Sequence, residues 1–375
     1  MKMKWVFWIA AATVAYAYVG YAVWLWLRSR WAPRPVRRGA VEPRVSTVMV
    51  VRNEEAVLTR KLENLLSLEY SPDKLEVVVV SDGSSDRTAE ILKEFGSSAR
   101  IKFLLKPESQ GKARGLNDAI NLATGEILLF TDARQAIEPV ALRLLVENFA
   151  DEAVGCASGE LMLGDPASGE TGQGMGLYWR IEKKIREMES ASGSVAGATG
   201  AIYCARRELF EPLPAGTILD DVLIPMQVVR QGYRVIFDSR ARAWDSPDLG
   251  GSREFARKVR TLSGNYQLLQ LAPWLLGSTN PIRFEFVSHK LSRLAVPFAL
   301  VALLIASIFL PQPWYRAALA AQLAFYALSV VAMVGVKIGP LSRVADAART
   351  FVVLNSAALV AFVNFVTGRK AVWVR

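Results

Sequence analysis

The run "WVFWIAAATVAYAYVGYAVWLWL", Trp5 to Leu27, contains no charged residue. A bilayer core needs about 20 apolar residues of helix, so residues 1–27 are predicted to form a membrane-crossing helix. The run is too long for the core of a signal peptide, and no small-residue cleavage site follows it. Behind it stands "RSRWAPRPVRR", Arg28 to Arg38, in a basic linker over 28–44. This cluster outweighs Lys2 and Lys4, and the positive-inside bias then puts the chain after residue 28 in the cytoplasm. The expectation is a multi-pass protein of the inner or plasma membrane, with its soluble part cytoplasmic.

Three further apolar segments lie at roughly 294–310, 314–336 and 351–367, and two or three spans are expected within 291–375. The first and third are short for a span. Four full crossings would also leave the tail "GRKAVWVR" outside, against the preference of Arg369, Lys370 and Arg375. A re-entrant or interfacial 351–367 would remove that conflict.

Composition agrees with a mixed membrane and soluble chain: 52% of residues are hydrophobic and 21% charged, with mean hydropathy +0.22. The net charge of +10 does not point to nucleic acid, because the arginines crowd beside apolar segments, as at a lipid surface. The two cysteines, Cys156 and Cys204, have neither metal-cluster nor disulfide-framework spacing.

Residues 45–250 read as one α/β domain. "STVMVV", "LEVVVVSD", "IKFLL" and "EILLFTD" are short β-rich runs, separated by helical stretches such as "RTAEILKEF" and "KARGLNDAINLA". That order predicts a mostly parallel sheet covered by helices on both faces. Ligands in such sheets sit beyond the carboxyl ends of the strands, which here carry Glu54-Glu55, Asp82 and Asp132. Over 251–290, "SREFARKVRTLSGNYQLLQLAPWLL" is basic first and apolar later, which suits helices at the membrane interface.

Several chemistries are excluded. "QGKARG" lacks the first glycine and the hydroxyl residue of a phosphate loop. "GETGQGMG", Gly169 to Gly176, does not follow a strand. The single histidine, His289, stands at the edge of a membrane segment, so serine–histidine catalysis and histidine metal sites are not expected in the soluble domain. Acid–base work falls to carboxylates, lysine or tyrosine.

Among the carboxylates, Asp82 ends a buried strand before a glycine turn, where it can accept a base N–H or a sugar hydroxyl; Ser85 or Asp86 reads as a helix cap. Asp132 ends the next such strand, where a divalent cation bridging a diphosphate needs oxygen. Lys112 and Arg114, on the preceding helix, can neutralise phosphate. In "TILDDVLIPM" the adjacent Asp220 and Asp221 open a short helix that Gly232 stops. One can cap it, but neighbours on a helix point about 100° apart, so the two do not share one partner.

Seven ordered motifs, "VSTVMVVRNEE", "VSDGSSDRT", "GKARGLN", "FTDARQ", "GATGAIYCARRELF", "ILDD" and "RKVRTLSGNYQ", resemble the membrane-bound family-2 glycosyltransferases related to cellulose, chitin, hyaluronan and poly-N-acetylglucosamine synthases. The resemblance covers the whole soluble domain and its flanking spans. It implies a GT-A fold, a nucleotide-sugar donor, usually a UDP-sugar, bound with Mg2+ or Mn2+, and inverting transfer to an acceptor hydroxyl. By motif, Glu54 or Glu55 and Asp82 would hold the nucleoside, Asp132 the metal and diphosphate, and Asp221 would be the general base. Arg257 and Arg260 would hold the diphosphate or close over the donor. Asp220 becomes a cap or a supporting group near the acceptor, and Trp179, Glu189 and Thr199 are acceptor-side candidates.

Two departures qualify that reading. Relatives carry Asp-x-Asp where this chain has Asp132-Ala133-Arg134, which shifts metal affinity onto the diphosphate. Polymer synthases carry Gln-x-x-Arg-Trp where this chain has Arg257-Lys258-Val259-Arg260-Thr261; Thr261 cannot stack on a sugar, although Trp179 or Trp274 could. The acceptor is then a growing extracellular polysaccharide, with possible export partners, or a lipid-linked saccharide receiving a single sugar. A non-catalytic nucleotide-sugar-binding scaffold is the reading from another class, and Arg134 is its supporting feature.

Overall fold

In a computed structural model, residues 2–164, 177–246, 251–335 and 339–369 are described. The stretch Gly169 to Gly176 and the tail from Lys370 lie outside them. The chain opens with α1 (Lys2–Ala15) and α2 (Tyr21–Trp31), joined by a π-helical turn at Tyr16–Gly20 into one apolar rod. The soluble domain follows as β1 (Val45–Val51), α3 (Glu55–Leu66), β2 (Leu75–Asp82), α4 (Thr88–Phe95), β3 (Ile101–Lys106), α5 (Lys112–Leu122), β4 (Ile127–Phe130) and β5 (Ala136–Ile137). It continues through α6 (Ala141–Val146), β6 (Val154–Leu163), α7 (Leu177–Ser192), β7 (Tyr203–Arg206), α8 (Asp220–Arg230) and β8 (Arg234–Asp245).

The eight strands form one sheet in the order β3-β2-β1-β4-β7-β6-β8-β5. From β3 to β4 every pairing is parallel, whereas β7 runs antiparallel to both β4 and β6. The sheet is thus parallel through its first half and mixed beyond it. The run "VVVV" in β2 is unbroken because both faces are covered: Val77 and Val79 enter one core with Leu58, Leu62 and Leu65 of α3. Val78 and Val80 enter the other, with Ala113, Leu116 and Ala119 of α5. Alternation along a strand sends successive side chains to opposite faces.

After the sheet come α9 (Gly251–Leu271), α10 (Arg283–Phe286), α11 (Ser292–Phe309), α12 (Pro313–Met333) and α13 (Ser342–Val366). Four helices are long and apolar enough to cross a membrane: Lys2–Trp31, Arg283–Phe309, Pro313–Met333 and Ser342–Val366. This corrects the expected shortness of the first and third C-terminal segments. Helix extends each toward its N-terminus through polar residues that hydropathy alone discounts, among them Arg283, Glu285, Arg343 and Asp346. The C-terminal half of α13 packs along α9, where Ala357 and Ala361 cluster with Val259 and Tyr266 and Phe365 stacks on Tyr266 at 5.4 Å.

Candidate active site

The first two strand-to-helix loops are stitched together beyond the sheet. Asn53 adopts φ +54°, a left-handed conformation that asparagine tolerates, and its Oδ1 accepts the Ser85 N–H at 2.8 Å. Asp86 accepts from Thr88 N at 3.0 Å and Glu55 N at 3.1 Å, although Arg87, not Asp86, holds the cap position of α4. Glu55 accepts the Arg87 N–H at 2.9 Å, which commits its carboxylate to this loop. Glu54 is the freer of the pair; burial raises its carboxyl, Arg134 lowers it, and Asp132 and Asp86 raise it further, with a net upward shift.

Asp82 is 3% exposed and largely committed. It accepts from Ser109 Oγ at 2.7 Å, Gln110 N at 2.8 Å and Gly111 N at 2.9 Å. Gly111, at φ +90°, turns the chain into α5, so Asp82 holds the loop that delivers Lys112. A donor reaching Asp82 must share these bonds.

Lys112 Nζ stands 2.9 Å from Asp132 Oδ1 and 3.1 Å from Asp220 Oδ2. Burial alone would lower the Lys112 pKa, but the two carboxylates outweigh it and hold the ammonium charged. Asp220 is therefore an ion-pair partner. The cap assignment fails, since Leu219 occupies the position before α8 and no side chain caps the helix. Asp221 faces elsewhere, as the 100° rule requires. A Cβ placed on Gly200 would lie 3.5 Å from both Asp132 Oδ2 and Asp221 Oδ2, so this glycine keeps the space between the two carboxylates open. Burial and the neighbouring Asp220 raise the Asp221 pKa to about 6, against the lowering pull of Lys112 and Lys290. Pro225 contributes as well: it has no N–H to bond the carbonyl four residues back, and Asp221 O instead accepts the Ala198 N–H at 2.7 Å. The proline thus draws the "GATGA" loop against the acidic pair.

Sequence reasoning missed Lys61. Its side chain is 2% exposed, and Nζ donates to Thr131 Oγ1 at 2.8 Å and Gln135 O at 2.6 Å, bracketing Asp132-Ala133-Arg134. Burial pushes its pKa down to about 7. The only signal was a lysine on the apolar stripe of α3 between Leu58 and Leu62. Among the described residues no group of three or more metal-binding side chains occurs. The donor set fits a cation that takes Asp132 as its one protein carboxylate and the remaining oxygens from a diphosphate.

On the far side of Asp221, Thr199 N donates to Ser158 Oγ at 3.1 Å. Glu189, 1% exposed, accepts from Tyr21 Oη at 2.6 Å and meets His289 Nδ1 at 2.8 Å. His289 stands in the apolar helix that starts at Arg283, as expected, yet it also reaches the soluble domain, where its Nε2 lies 2.9 Å from Glu182 Oε1. A single histidine beside a membrane segment looked isolated only because α7 lies a hundred residues earlier in the chain. Trp179 exposes its ring in the first turns of α7. The Arg230 guanidinium lies over one face of the Trp274 ring, 4.4 Å from its centroid. Helix α9 docks on the loop before α8: Gln267 Oε1 accepts the Ile218 N–H at 2.9 Å, and a Cβ on Gly264 would meet Leu219 Cγ at 2.5 Å. Arg260 lies one turn before Gly264 on the same face; Arg257, a turn further back, is exposed.

A mixed sheet with carboxylates beyond its parallel strand ends and an acid opening the helix before the last long strand is a GT-A-like fold, here flanked by apolar helices. A mannosyltransferase from Pyrobaculum calidifontis, solved with GDP-Man and Mn2+, superimposes with TM-score 0.72 at 23% identity, over 97% of this chain and 100% of that one. Residues 46–213 match the family described as Glycosyl transferase family 2, and the chain carries a glycosyltransferase family 2 domain. Poly-beta-1,6-N-acetyl-D-glucosamine synthase of Staphylococcus epidermidis is 26% identical over 61% of this chain and 56% of its own length. The probable glycosyltransferase YdaM of Bacillus subtilis is 27% identical over 60% and 55%. The chain therefore spans about half the length of the curated relatives it matches.

Proposed function

We infer that this protein is an inverting glycosyltransferase, moving a sugar from a nucleotide-sugar donor to an acceptor hydroxyl at the cytoplasmic face of the membrane. The observation that carries the reading is the division of labour in the acidic pair. Asp220 is neutralised by Lys112, while Asp221 is partly exposed beside Gly200 with its pKa lifted to about 6, near the range a general base needs. Asp221 takes the proton of the acceptor hydroxyl as that oxygen bonds to the anomeric carbon, and the nucleoside diphosphate leaves with the electrons of the broken C–O bond. Glu54 and Asp82 line the nucleoside end, with Glu55 supporting their loop. Lys112, Arg257 and Arg260 balance diphosphate charge. A divalent cation, Mg2+ or Mn2+, would be held by Asp132 and the diphosphate and would stabilise the leaving group's charge.

A UDP-sugar is the donor expected from the resemblance, and the GDP-Man bound to the structural neighbour makes GDP-sugars the comparison. Orientation rests on the arginine cluster after α2. The seating of Phe365 against α9 brings the end of α13 to the soluble domain's side, which supports an interfacial or re-entrant α13 rather than a fourth full crossing. The acceptor is an extracellular polysaccharide precursor or a lipid-linked saccharide; Thr261, where polymer synthases have tryptophan, favours the second. The test is Asp221→Asn in the full chain, assayed against a panel of UDP- and GDP-sugars. Loss of transfer with donor binding retained is expected, and near-full transfer overturns the assignment.

A further inference from the structure

The segment that carries Asp132, residues 131–135 between β4 and β5, has no regular structure to fix it. Among the described residues, no backbone-to-backbone hydrogen bond outside the helices and strands reaches it. One buried amino group takes that part. Lys61 Nζ donates to Thr131 Oγ1 at 2.8 Å and to Gln135 O at 2.6 Å, so the two ends of the segment meet at a single atom. Each end is also anchored outward: Thr131 Oγ1 donates to Ala201 O at 2.8 Å, next to Gly200, and Gln135 Nε2 donates to Asp245 Oδ2 at 2.8 Å. Lys61 is flanked on α3 by Leu58 and Leu62, which enter one core with Ala133. At 2% exposure its side chain is closed off from a donor and acts only through the loop.

Asp132 itself is loosely held. Its side chain is 44% exposed, and its one ion pair among the described residues is with Lys112, at 2.9 Å. A diphosphate competes for that lysine, which leaves the backbone beneath Asp132 as the lasting support of the carboxylate. With Arg134 where relatives carry a second acid, no second carboxylate of the motif shares the work. A lone oxygen ligand binds a cation well only when it is already in place. Burying an amino group costs free energy that an apolar side chain would not, and the two bonds of Lys61 return it as the shape of the loop. We propose that Lys61 is the positioning residue of the cation site, fixing through Thr131 and Gln135 the place where the Asp132 carboxylate meets a divalent cation and a diphosphate. This rests on the reading of Asp132 as the cation's protein ligand. Groups that support a metal ligand from behind typically contribute about 10–100-fold in metal affinity.

The experiment reads binding rather than turnover: the affinities of UDP and GDP for the full chain in phosphatidylcholine nanodiscs, by calorimetry, with Mn2+ and in EDTA. The ratio of the two affinities is the gain due to Mn2+. Lys61→Met is expected to cut that gain about tenfold or more, and to move the affinity in EDTA by less than about twofold, because no contact to the nucleotide is removed. Thr131→Val should cut the gain as well, whereas Thr131→Ser, which keeps the hydroxyl, should preserve it. The double variant Lys61→Met/Thr131→Val should lose less than the product of the two single losses, since both break the same bond. Equal weakening with Mn2+ and in EDTA marks a general structural role and overturns the proposal, as does a double variant that loses the full product. If Lys61→Met does not fold, Thr131→Val and Thr131→Ser decide, and equal gains in the two overturn it. If the wild type shows no Mn2+ gain with either nucleotide, the cation reading falls and the positioning role with it. A wild-type gain that survives intact in the variants defeats the positioning role alone.

Discussion

The two halves of the sheet are wired differently. Between β3 and β4 every strand is parallel, and each candidate donor group follows a strand end or opens the next helix; its supporting bonds run to neighbouring loops, as with Asp82 and Gly111. From β7 to β5 the sheet is mixed, and the groups around Asp221 arrive from remote segments: Tyr21 from α2, Glu189 from α7, Gln267 from α9 and His289 from the following helix. The first half is assembled by local chain logic and the second by docking onto α7, α9 and the long apolar helices. Changes in the donor half should therefore act on donor binding and loop stability, and changes in the other on turnover and on the contact with the membrane.

The sharpest break of this contrast is Asp221→Asn, expected to lower kcat by about 10²–10⁴ with donor KM within a few-fold, measured by nucleoside diphosphate release. Lys112 spans both halves through Asp132 and Asp220. Lys112→Met leaves the buried Asp220 unpaired and should cost about 3 kcal/mol of stability, read by thermal unfolding in detergent; an unchanged midpoint would separate the halves energetically. With Asp221 required as a base and its pKa raised to about 6, kcat/KM should fall about tenfold per pH unit below that value and level off above it. A flat profile from pH 5 to 7 would remove Asp221 from the rate equation.

Lys61 gives a smaller, purely donor-half effect. Its ammonium loses its proton near pH 7 in the folded chain and near 10.5 when unfolded. Between these values the unfolded chain binds more protons, so stability rises with pH, by up to about 1.4 kcal/mol per unit. Lys61→Met should remove that slope. Smallest, Asp86→Ala deletes the bonds to Thr88 N and Glu55 N and should cost about 1 kcal/mol with little change in kcat; a large kcat loss would mean that the stitched loops touch the reacting atoms.

The parallel half was legible because its signals are short-range. A buried strand covered on both faces must be uniformly apolar, as "VVVV" is, and the acid that ends such a strand announces itself at Asp82 and Asp132. The acidic pair was half legible. Adjacency on a helix separated the roles of Asp220 and Asp221, but the partner of Asp220, more than a hundred residues away on α5, left no trace in the local pattern and made a cap seem sufficient. The contacts of His289 went unseen for the same reason: its partners Glu182 and Glu189 carry the spacing of one helix face, but nothing in either segment names the other.

By itself, the sequence determined the alternation that builds the sheet, the apolar N-terminal run long enough for a bilayer, and the residue types available for acid–base work once histidine was confined to one position. Periodicity and hydropathy act over one turn or one strand, and they are read wherever they occur. Only the tertiary structure decided which carboxylate is neutralised and which is left free, that a lysine lies buried beneath the Asp132 loop, and that the first apolar helix touches α7 through Tyr21 and Glu189. Charges interact through space and with the local degree of burial, and neither quantity exists until the chain has closed on itself.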